Sequence, residues 1–270
     1  NYTKDCYILK LDLLGYFMSI NKDILFSFIK KEIRKHKNLP FDIDLILSLI
    51  QKTVFNNPTI NCKKYGNPAD WAKLPPSKSL FHAATNCGLP IGNLTSQLFG
   101  NVYLNDFDHW IKKEFNIKYY GRYVDDLIII HHNKKYLLDL IPKINNYLDS
   151  NLSLKLHPNK IYIQHFSKGV NYLGAIIKPH RIYSGKRIRG NFYQAIQRHN
   201  QIIRNDKPNP KEIQNYLSSM NSYLGILRHF KSYQFVRKVI KEEMSAWWWN
   251  YYQVSFQKWK FKRKTSKVRI

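Results

Sequence analysis

The chain has 270 residues, which is long enough for one large domain or two small ones with a substantial core. Apolar residues make up 44% of it and aromatic residues 15%, and this composition excludes a disordered chain. Lysine and arginine total 44 against 18 aspartate and glutamate, a formal charge of +26. Such an excess indicates a polyanionic partner, and we favour nucleic acid over an anionic membrane surface.

Hydrophobic periodicity predicts a mixture of strands and helices in the first half of the chain. No aliphatic run approaches the ~18 residues of a spanning helix, so we expect no membrane segment. In chain order, the patterns predict a strand over 7–13, a helix capped by Ser19 or Asn21 and running to Ile33, a helix over 45–54, a loop-rich insertion around 56–90, and one helix from Thr95 to Ile111.

The second half begins with strands and becomes helical and strongly basic. We expect the tryptophans at 247–249 to pack against the first domain or a partner. The predicted elements are strands over 117–123 and 127–131, a helix over 134–148, strand-like pieces over 152–156, 162–165 and 170–177, and basic helices from 191 to 264. These patterns together predict an α+β fold that is followed by a helical, cationic C-terminal part.

Acidic residues stand at the ends of two predicted strands. Asp12 ends the first, and Asp125 and Asp126 form a tight turn between two later ones. Carboxylates beside apolar strands are costly unless they are paired or bind a metal, although aspartate is also common in ordinary solvated turns. If the two strand ends are neighbours, their oxygens suit Mg²⁺, and two such ions ~4 Å apart can activate a hydroxyl and stabilise leaving pyrophosphate.

The segments Leu11 to Phe17 and Tyr123 to Asp126 resemble the first and third palm motifs of reverse transcriptases. Three further segments are similar to the other motifs of that family and follow in its order. Gly88 to Gln97 resembles the second motif, His157 to Lys160 the fourth, and Lys168 to Gly174 the primer grip. The resemblance covers nearly the whole chain and implies a palm over 1–187 followed by a helical thumb and basic tail over 188–270.

The resemblance implies an RNA-directed DNA polymerase in which the primer 3′-hydroxyl attacks the α-phosphate of a deoxynucleoside triphosphate and pyrophosphate leaves. Its implied catalytic residues are Asp12, Asp125, Asp126 and Lys160. The three aspartates would bind two Mg²⁺ ions, with Mn²⁺ as an alternative and Asp12 and Asp125 as principal ligands. The implied nucleotide-binding residues are Leu13, Phe17, Ile91 and Gly92, and the implied primer and template contacts are Ser96, Gln97, Tyr123, Tyr172, Leu173, Gly174, Arg228 and Lys231.

Several of these residues also have a simpler interpretation. Phe17 matches the aromatic gate that excludes a 2′-hydroxyl, and we favour that role over the alternative of a core aromatic at a strand end. Lys160 could protonate pyrophosphate or lie on a solvated loop. Ser96 could cap a helix rather than contact the duplex, and Ile91 could pack beneath that helix.

The second motif is similar to that of reverse transcriptases from diversity-generating retroelements, because Ile91 and Gln97 replace the more usual glutamine and proline. This similarity implies copying of a template RNA into cDNA with errors at template adenines, usually with a small basic accessory protein. The alternatives are a phage-defence or intron-encoded reverse transcriptase, or a non-catalytic nucleic-acid-binding protein.

The family normally has a fingers region before its first palm motif. Only eleven residues precede Asp12, so we expect the sequence to be a piece of a longer protein. Three cysteines without CxxC spacing predict neither a disulfide framework nor a zinc site. Reduced thiols predict a cytoplasmic protein, the resemblance implies a bacterial or phage origin, and we expect no membrane partner.

Overall fold

The computed structural model describes residues 5–36, 40–205 and 207–264. Its contacts divide into two compact units, with the division between His165 and Phe166. We call them the N-terminal unit and the C-terminal unit. Both combine helices with antiparallel strands, so the fold class is α+β, as predicted. Within the described residues, no helix is both long and apolar enough to cross a membrane.

The N-terminal unit is built around a four-stranded antiparallel sheet in the order β2-β3-β1-β4. Its strands are β1 (Tyr7–Asp12), β2 (Tyr119–Tyr123), β3 (Asp126–His131) and β4 (Tyr162–His165). Its helices are α1 (Tyr16–Ser19), α2 (Lys22–Arg34), α3 (Ile43–Phe55), α4 (Pro68–Ala72), α5 (Leu94–Tyr103), α6 (Asn105–Glu114) and α7 (Lys134–Leu152).

Side-chain alternation along β1 and β3 separates the core from the candidate site. Leu9 and Leu11 are fully buried and pair with Ile129 and Leu127 of β3, so these four side chains form the core face. The residues between them, among them Lys10, point to the opposite face because successive strand residues alternate. The hydrophobic pattern therefore decides which face carries the charged residues.

Several predicted elements of the N-terminal unit are confirmed, and Asn21 rather than Ser19 is the cap of α2. The Asn21 side chain accepts hydrogen bonds from the backbone N–H groups of Asp23 and Ile24, at 2.9 and 3.1 Å. The stretch 56–90 is largely irregular, as predicted, but it contains α4 and two short 3₁₀ turns.

Two predictions for this unit are wrong. The single helix expected over 95–111 is two helices, α5 and α6, which are separated at Leu104. The strand expected over 152–156 is absent, because α7 continues to Leu152 and Ser153 then adopts a left-handed conformation. Leu152, Leu154 and Leu156 are all buried, which gives the alternating pattern of a strand without its ladder.

Within its described residues, the C-terminal unit contains a three-stranded antiparallel sheet, four α-helices and a further hairpin. The sheet has the order β5-β6-β7. The elements are β5 (Val170–Tyr172), β6 (Ala175–Lys178), β7 (Arg181–Ser184), α8 (Lys186–Asn205), α9 (Pro210–Leu227), α10 (Tyr233–Glu243), α11 (Ala246–Tyr251), β8 (Tyr252–Ser255) and β9 (Lys260–Arg263).

Three predictions for the C-terminal unit are corrected. The strand expected over 170–177 is a hairpin, because Leu173 and Gly174 both have positive φ and reverse the chain. The helical pattern expected to continue to residue 264 ends at α11, and β8 and β9 follow. The tryptophans at 247–249 were expected to pack against the first domain or a partner, but they pack within this unit's own core. Trp248 is fully buried there, and its ring stacks on Tyr216 with 3.9 Å between the ring centroids.

Candidate active site

The three predicted catalytic aspartates lie at one end of the N-terminal sheet. Asp12 is the last residue of β1 and pairs in register with Asp126, the first residue of β3. Asp125 belongs to the two-residue turn, Val124–Asp125, that joins β2 to β3. Directly opposite residues of an antiparallel pair share a face, so Asp12 and Asp126 are like-charged neighbours on the face opposite the core.

The turn that carries Asp125 has an unusual backbone. Val124 has a φ of 56°, a left-handed conformation that β-branched residues rarely adopt. Such conformations persist only where the surrounding structure enforces them. Here Arg122 of β2 contributes to that enforcement, since its Nη1 donates a hydrogen bond to the Val124 carbonyl oxygen at 3.0 Å.

Arg122 is itself fixed by a buried network on α6. Its Nε and Nη2 atoms both donate to the Asp108 carboxylate, at 2.9 and 2.6 Å, and the Tyr120 hydroxyl donates to the same carboxylate. A further bond joins Arg122 Nη1 to the Asn101 side chain at 3.2 Å. Only 9% of the Arg122 side chain is exposed. The acidic turn is thereby anchored to α5 and α6 through one guanidinium group.

Two lysines are paired with the carboxylates of Asp12 and Asp126. Lys160 Nζ contacts both Asp12 carboxylate oxygens, at 2.9 and 3.0 Å. The turn that carries Lys160 is also tied to this strand end, because the His157 backbone N–H donates to the Asp12 carbonyl oxygen at 2.8 Å. On the other side, Lys10 Nζ lies 3.1 Å from Asp126 Oδ1. Lys10 is two residues before Asp12 and therefore shares its face of the sheet.

Three carboxylates and two lysines leave the cluster with an excess of negative charge. The pKa of Asp125 is raised, first by burial and then by repulsion from Asp12 and Asp126, while Lys160 acts in the opposite direction. Asp126 Oδ1 is buried and, among the described residues, accepts no hydrogen bond despite the nearby Lys10. Negative charge therefore exceeds positive charge within this cluster.

These features fit a divalent cation in their chemistry. The candidate ligands are carboxylate oxygens, which Mg²⁺ prefers, and one of them, Asp126 Oδ1, is a buried oxygen whose ion-pair partner is the Lys10 ammonium. Across the described ranges, however, no three histidine, cysteine or carboxylate side chains are already spaced to hold an ion. Binding of a cation by Asp12 would require its carboxylate to leave Lys160.

The predicted nucleotide-binding residues differ in exposure. Leu13 is buried in the core, so its side chain is not available to a ligand. Phe17 is half-buried, packs against the core and lies close to Gly100, where a Cβ would be 3.3 Å from its ring. Ile91 is 68% exposed, so the interpretation that it packs beneath the following helix is wrong. Gly92 is exposed with a φ of 104°, a turn conformation that favours glycine.

The predicted primer and template contacts fall in both units. In the N-terminal unit, Gln97 and Tyr123 are exposed, whereas Ser96 is only 3% exposed and offers no side chain to a duplex in this structure. The predicted contacts in the C-terminal unit comprise Tyr172, Leu173 and Gly174 at the β5–β6 turn, and Arg228 and Lys231 in the segment between α9 and α10.

Sequence reasoning missed Lys10 and Asp108. Lys10 could have been found, because the two-residue period of a strand puts it on the same face as Asp12. Asp108 could not, since its role depends on the packing of α6 beside β2, which no local pattern specifies. Both residues contact a member of the acidic turn or its anchor.

The sequence profile of the family described as "Reverse transcriptase (RNA-dependent DNA polymerase)" matches residues 1–177. The chain belongs to the reverse transcriptase family. A curated relative, the "Putative COX1/OXI3 intron 2 protein" of Saccharomyces cerevisiae, is 30% identical over an alignment of 104 residues, and the match covers 34% of this chain and 11% of that protein.

Solved structures of telomerase are similar to this reverse transcriptase. Apo telomerase from Candida tropicalis has a TM-score of 0.46 and 13% identity, and the match covers 89% of this chain and 44% of that one. Telomerase from Candida albicans, in complex with a fragment of telomeric RNA, has a TM-score of 0.43 and 11% identity, over 92% of this chain and 43% of that one. The chain thus spans less than half the length of these relatives.

Proposed function

We propose that this reverse transcriptase is an RNA-directed DNA polymerase that extends a primer on an RNA template with deoxynucleoside triphosphates. The observation that carries the proposal is the pairing of Asp12 with Asp126 beside Asp125 in the turn. Three carboxylates lie at one end of the sheet, and the two lysines beside them do not cancel their negative charge. This arrangement favours cation-dependent chemistry over simple nucleic-acid binding. A binding module without catalysis would need no such cluster.

In this proposal the chain's own residues hold and orient the reactants. Asp12 and Asp125 would hold Mg²⁺, or Mn²⁺ in its place, which stabilises the charge that develops on the phosphate oxygens. Arg122 keeps Asp125 in place through the Val124 carbonyl. The Lys160 side chain is paired with Asp12 but half exposed. Its ammonium group could therefore release the Asp12 carboxylate and bind a phosphate oxygen instead, or donate a proton to the leaving pyrophosphate.

The proposal is tested by primer extension with purified full-length protein. We expect extension of a DNA primer on an RNA template with deoxynucleotides and Mg²⁺, and none when EDTA replaces the metal. A protein that binds the primer–template tightly and yet adds no nucleotide with either Mg²⁺ or Mn²⁺ would contradict the polymerase assignment and favour a binding protein.

We further propose that the enzyme is of the diversity-generating retroelement type and misincorporates opposite template adenines, assisted by a small basic accessory protein. The support is the second motif, in which the exposed Ile91 stands where related enzymes carry glutamine. A glutamine amide can hydrogen-bond a base pair or nucleotide, whereas isoleucine can only pack, and polar readout discriminates more strongly than fit.

Ile91→Gln tests this subtype. We expect several-fold fewer errors opposite template adenine, measured by sequencing the cDNA made from one adenine-containing RNA. The control is Leu94→Gln, a change of the same kind at another exposed apolar residue of this stretch. If Ile91→Gln extends primers normally and leaves the error spectrum unchanged, the proposed role of Ile91 is wrong.

The alternative is an intron-encoded reverse transcriptase, which the name of the yeast relative favours. The two types differ in their products. An error spectrum without adenine bias in the wild-type protein would support the intron-encoded type. Flanking DNA with two near-identical repeats that differ mainly at adenines would support the retroelement type.

A further inference from the structure

The helix α3 leaves apolar side chains exposed on one face in the N-terminal unit. Leu45 and Leu49 are each more than half exposed, and residues four apart on a helix are neighbours. Phe41, just before the helix, is exposed as well. The other side of α3 packs inwards, with Leu47 and Val54 buried. We call the surface formed by Leu45 and Leu49 the α3 stripe. Large apolar residues that share an exposed helix face are typical of an interaction site.

The charges along α3 change sign from one end of the helix to the other. Asp42 and Asp44 lie at its N-terminal end, and Lys52 is its only basic residue. All three side chains are exposed, and within the described parts of the chain none of them forms an ion pair. One lysine against two aspartates is the opposite of the balance in the whole chain, whose formal charge is +26. The surface of α3 therefore does not favour a polyanion.

The α3 stripe is complementary to a second copy of itself. Leu45, Leu49 and Lys52 share one face because they are spaced at i, i+4 and i+7. When two such helices pack antiparallel about a twofold axis at the level of residue 47, Leu45 of one copy lies opposite Leu49 of the other. Asp42 and Lys52 are equally far from that axis in the sequence, so the same register places the carboxylate of one copy near the ammonium group of the other. The twofold axis makes each contact occur twice.

Both ends of α3 are fixed in the single chain. The Asp42 side chain caps the helix, since it accepts hydrogen bonds from the backbone N–H groups of Asp44 and Leu45 at 2.9 and 3.2 Å. At the other end, Nζ of the buried Lys22 donates to the carbonyl oxygen of Asn56 at 3.2 Å and joins the end of α3 to α2. Little ordering of the helix is therefore left for a partner to induce.

We propose that the protein forms a twofold dimer through the α3 stripe, with the two copies of α3 antiparallel. The inference does not depend on the proposed function. Leucine contacts at the centre would supply the attraction, and the pairs between Asp42 and Lys52 would set the register. A pair of 13-residue helices is only about 20 Å long and buries less than the ~1,200 Å² at which stable interfaces begin. We therefore expect a weak dimer, with a dissociation constant on the order of micromolar.

Sedimentation equilibrium of the full-length protein, from about 1 to about 100 µM, measures this dissociation constant. Leu49→Glu should raise it at least about tenfold, because each dimer would bury two carboxylates against leucine. The matched control is Leu138→Glu, at an exposed position of α7, which should leave the dissociation constant unchanged. Both leucines are exposed, so we expect both variants to fold.

A second pair of variants tests the antiparallel register. Lys52→Glu should weaken the dimer several-fold, because it places a carboxylate near Asp42 of the other copy. Adding Asp42→Asn, which removes that charge and keeps a good helix cap, should recover part of the loss. If the added change weakens the dimer further, the two residues do not face each other and the proposed arrangement is wrong.

Two results with the first variants would overturn the dimer itself. One is a wild type that stays monomeric at about 100 µM, whether another part of the full-length chain or a different protein then covers α3. The other is a dimer that Leu49→Glu weakens no more than Leu138→Glu, since the contact would then lie elsewhere on the molecule.

Discussion

Arg122 shows how one side chain can help to fix the position of the acidic turn. Its guanidinium links the Asp108 carboxylate of α6 to the carbonyl oxygen of Val124, the residue just before Asp125. The fork of a guanidinium can make these bonds in two directions at once, which an ammonium group cannot. The position of Asp125 therefore depends on a residue that lies outside the acidic cluster.

Arg122→Gln should lower the free energy of unfolding by about 3 kcal/mol, because it leaves the largely buried Asp108 carboxylate with the Tyr120 hydroxyl but without its cationic partner. Denaturant titration measures this loss. The control is Lys35→Gln, which breaks an exposed pair with Glu32 and should have no measurable effect. The network would be unimportant if the two variants were equally stable. Adding Asp108→Asn to Arg122→Gln should recover part of the loss.

Phe17→Ala tests whether the half-buried ring next to Gly100 excludes a 2′-hydroxyl. A clash that rejects ribonucleotides disappears with the ring, so the ratio of ribonucleotide to deoxynucleotide incorporation should rise roughly tenfold or more. Primer extension with each nucleotide class measures the ratio. The control is Phe55→Ala, at another partly buried ring of the same unit. It should lower the free energy of unfolding without changing the ratio of ribonucleotide to deoxynucleotide incorporation. An unchanged ratio in Phe17→Ala would make Phe17 a core residue only.

At this scale, much of the candidate site could be predicted from the sequence. Asp12, Asp125 and Asp126 are carboxylates beside apolar strands, and the structure brings them to one sheet end. The pairing of Lys160 with Asp12 was not predictable, because it depends on a turn that returns to β1 almost 150 residues later. The same holds for Asp108, whose partner Arg122 lies on a different element.

At the scale of elements, α8 places a half-buried titratable group, His199, against the core of the C-terminal unit. The His199 ring packs edge-on against Tyr216 and Trp248. Burial, together with the neighbouring Arg198, lowers the pKa of His199 below its usual 6.5. The unfolded chain therefore binds a proton more readily than the folded chain as the pH falls below 6.5, and stability is lost in that range.

His199→Phe should remove this contribution and keep the aromatic packing. We expect the free energy of unfolding to decrease less between pH 7.5 and pH 5.0 in the variant than in the wild type. The control is His109→Phe, at an exposed position of α6, which should keep the wild-type pH dependence. The same decrease in all three proteins would show that His199 is not the group responsible for the loss of stability.

Elements with a single clear period were predicted well, and those that depend on tertiary contacts were not. The helix α2 and the strands β1 and β3 follow their hydrophobic patterns. The hairpin of β8 and β9 has no comparable signal, because it is held by Asn221 of α9, whose side chain bonds both the N–H and the carbonyl oxygen of Phe261. The α5–α6 break at Leu104 likewise leaves the apolar period uninterrupted.

At the scale of the whole molecule, the charge of +26 indicated a polyanion before any motif was considered. The structure also shows where the negative and the positive side chains are concentrated. The acidic cluster lies at one end of the N-terminal sheet, whereas Arg228 and Lys231 lie in the C-terminal unit. Under the proposed function, the acidic cluster acts on the nucleotide and these two basic residues contact the duplex, so catalysis and binding should be separable by mutation.

The most direct test of the central claim is primer extension on an RNA template by Asp125→Asn, compared with Asp139→Asn on the exposed face of α7. Loss of one carboxylate from the acidic cluster should lower the extension rate by at least about a hundredfold, because the developing charge loses its electrostatic stabilisation. Hybrid binding should persist, and Asp139→Asn should extend like the wild type. If Asp125→Asn extends primers within a few-fold of the wild-type rate, the acidic cluster is not the polymerase active site.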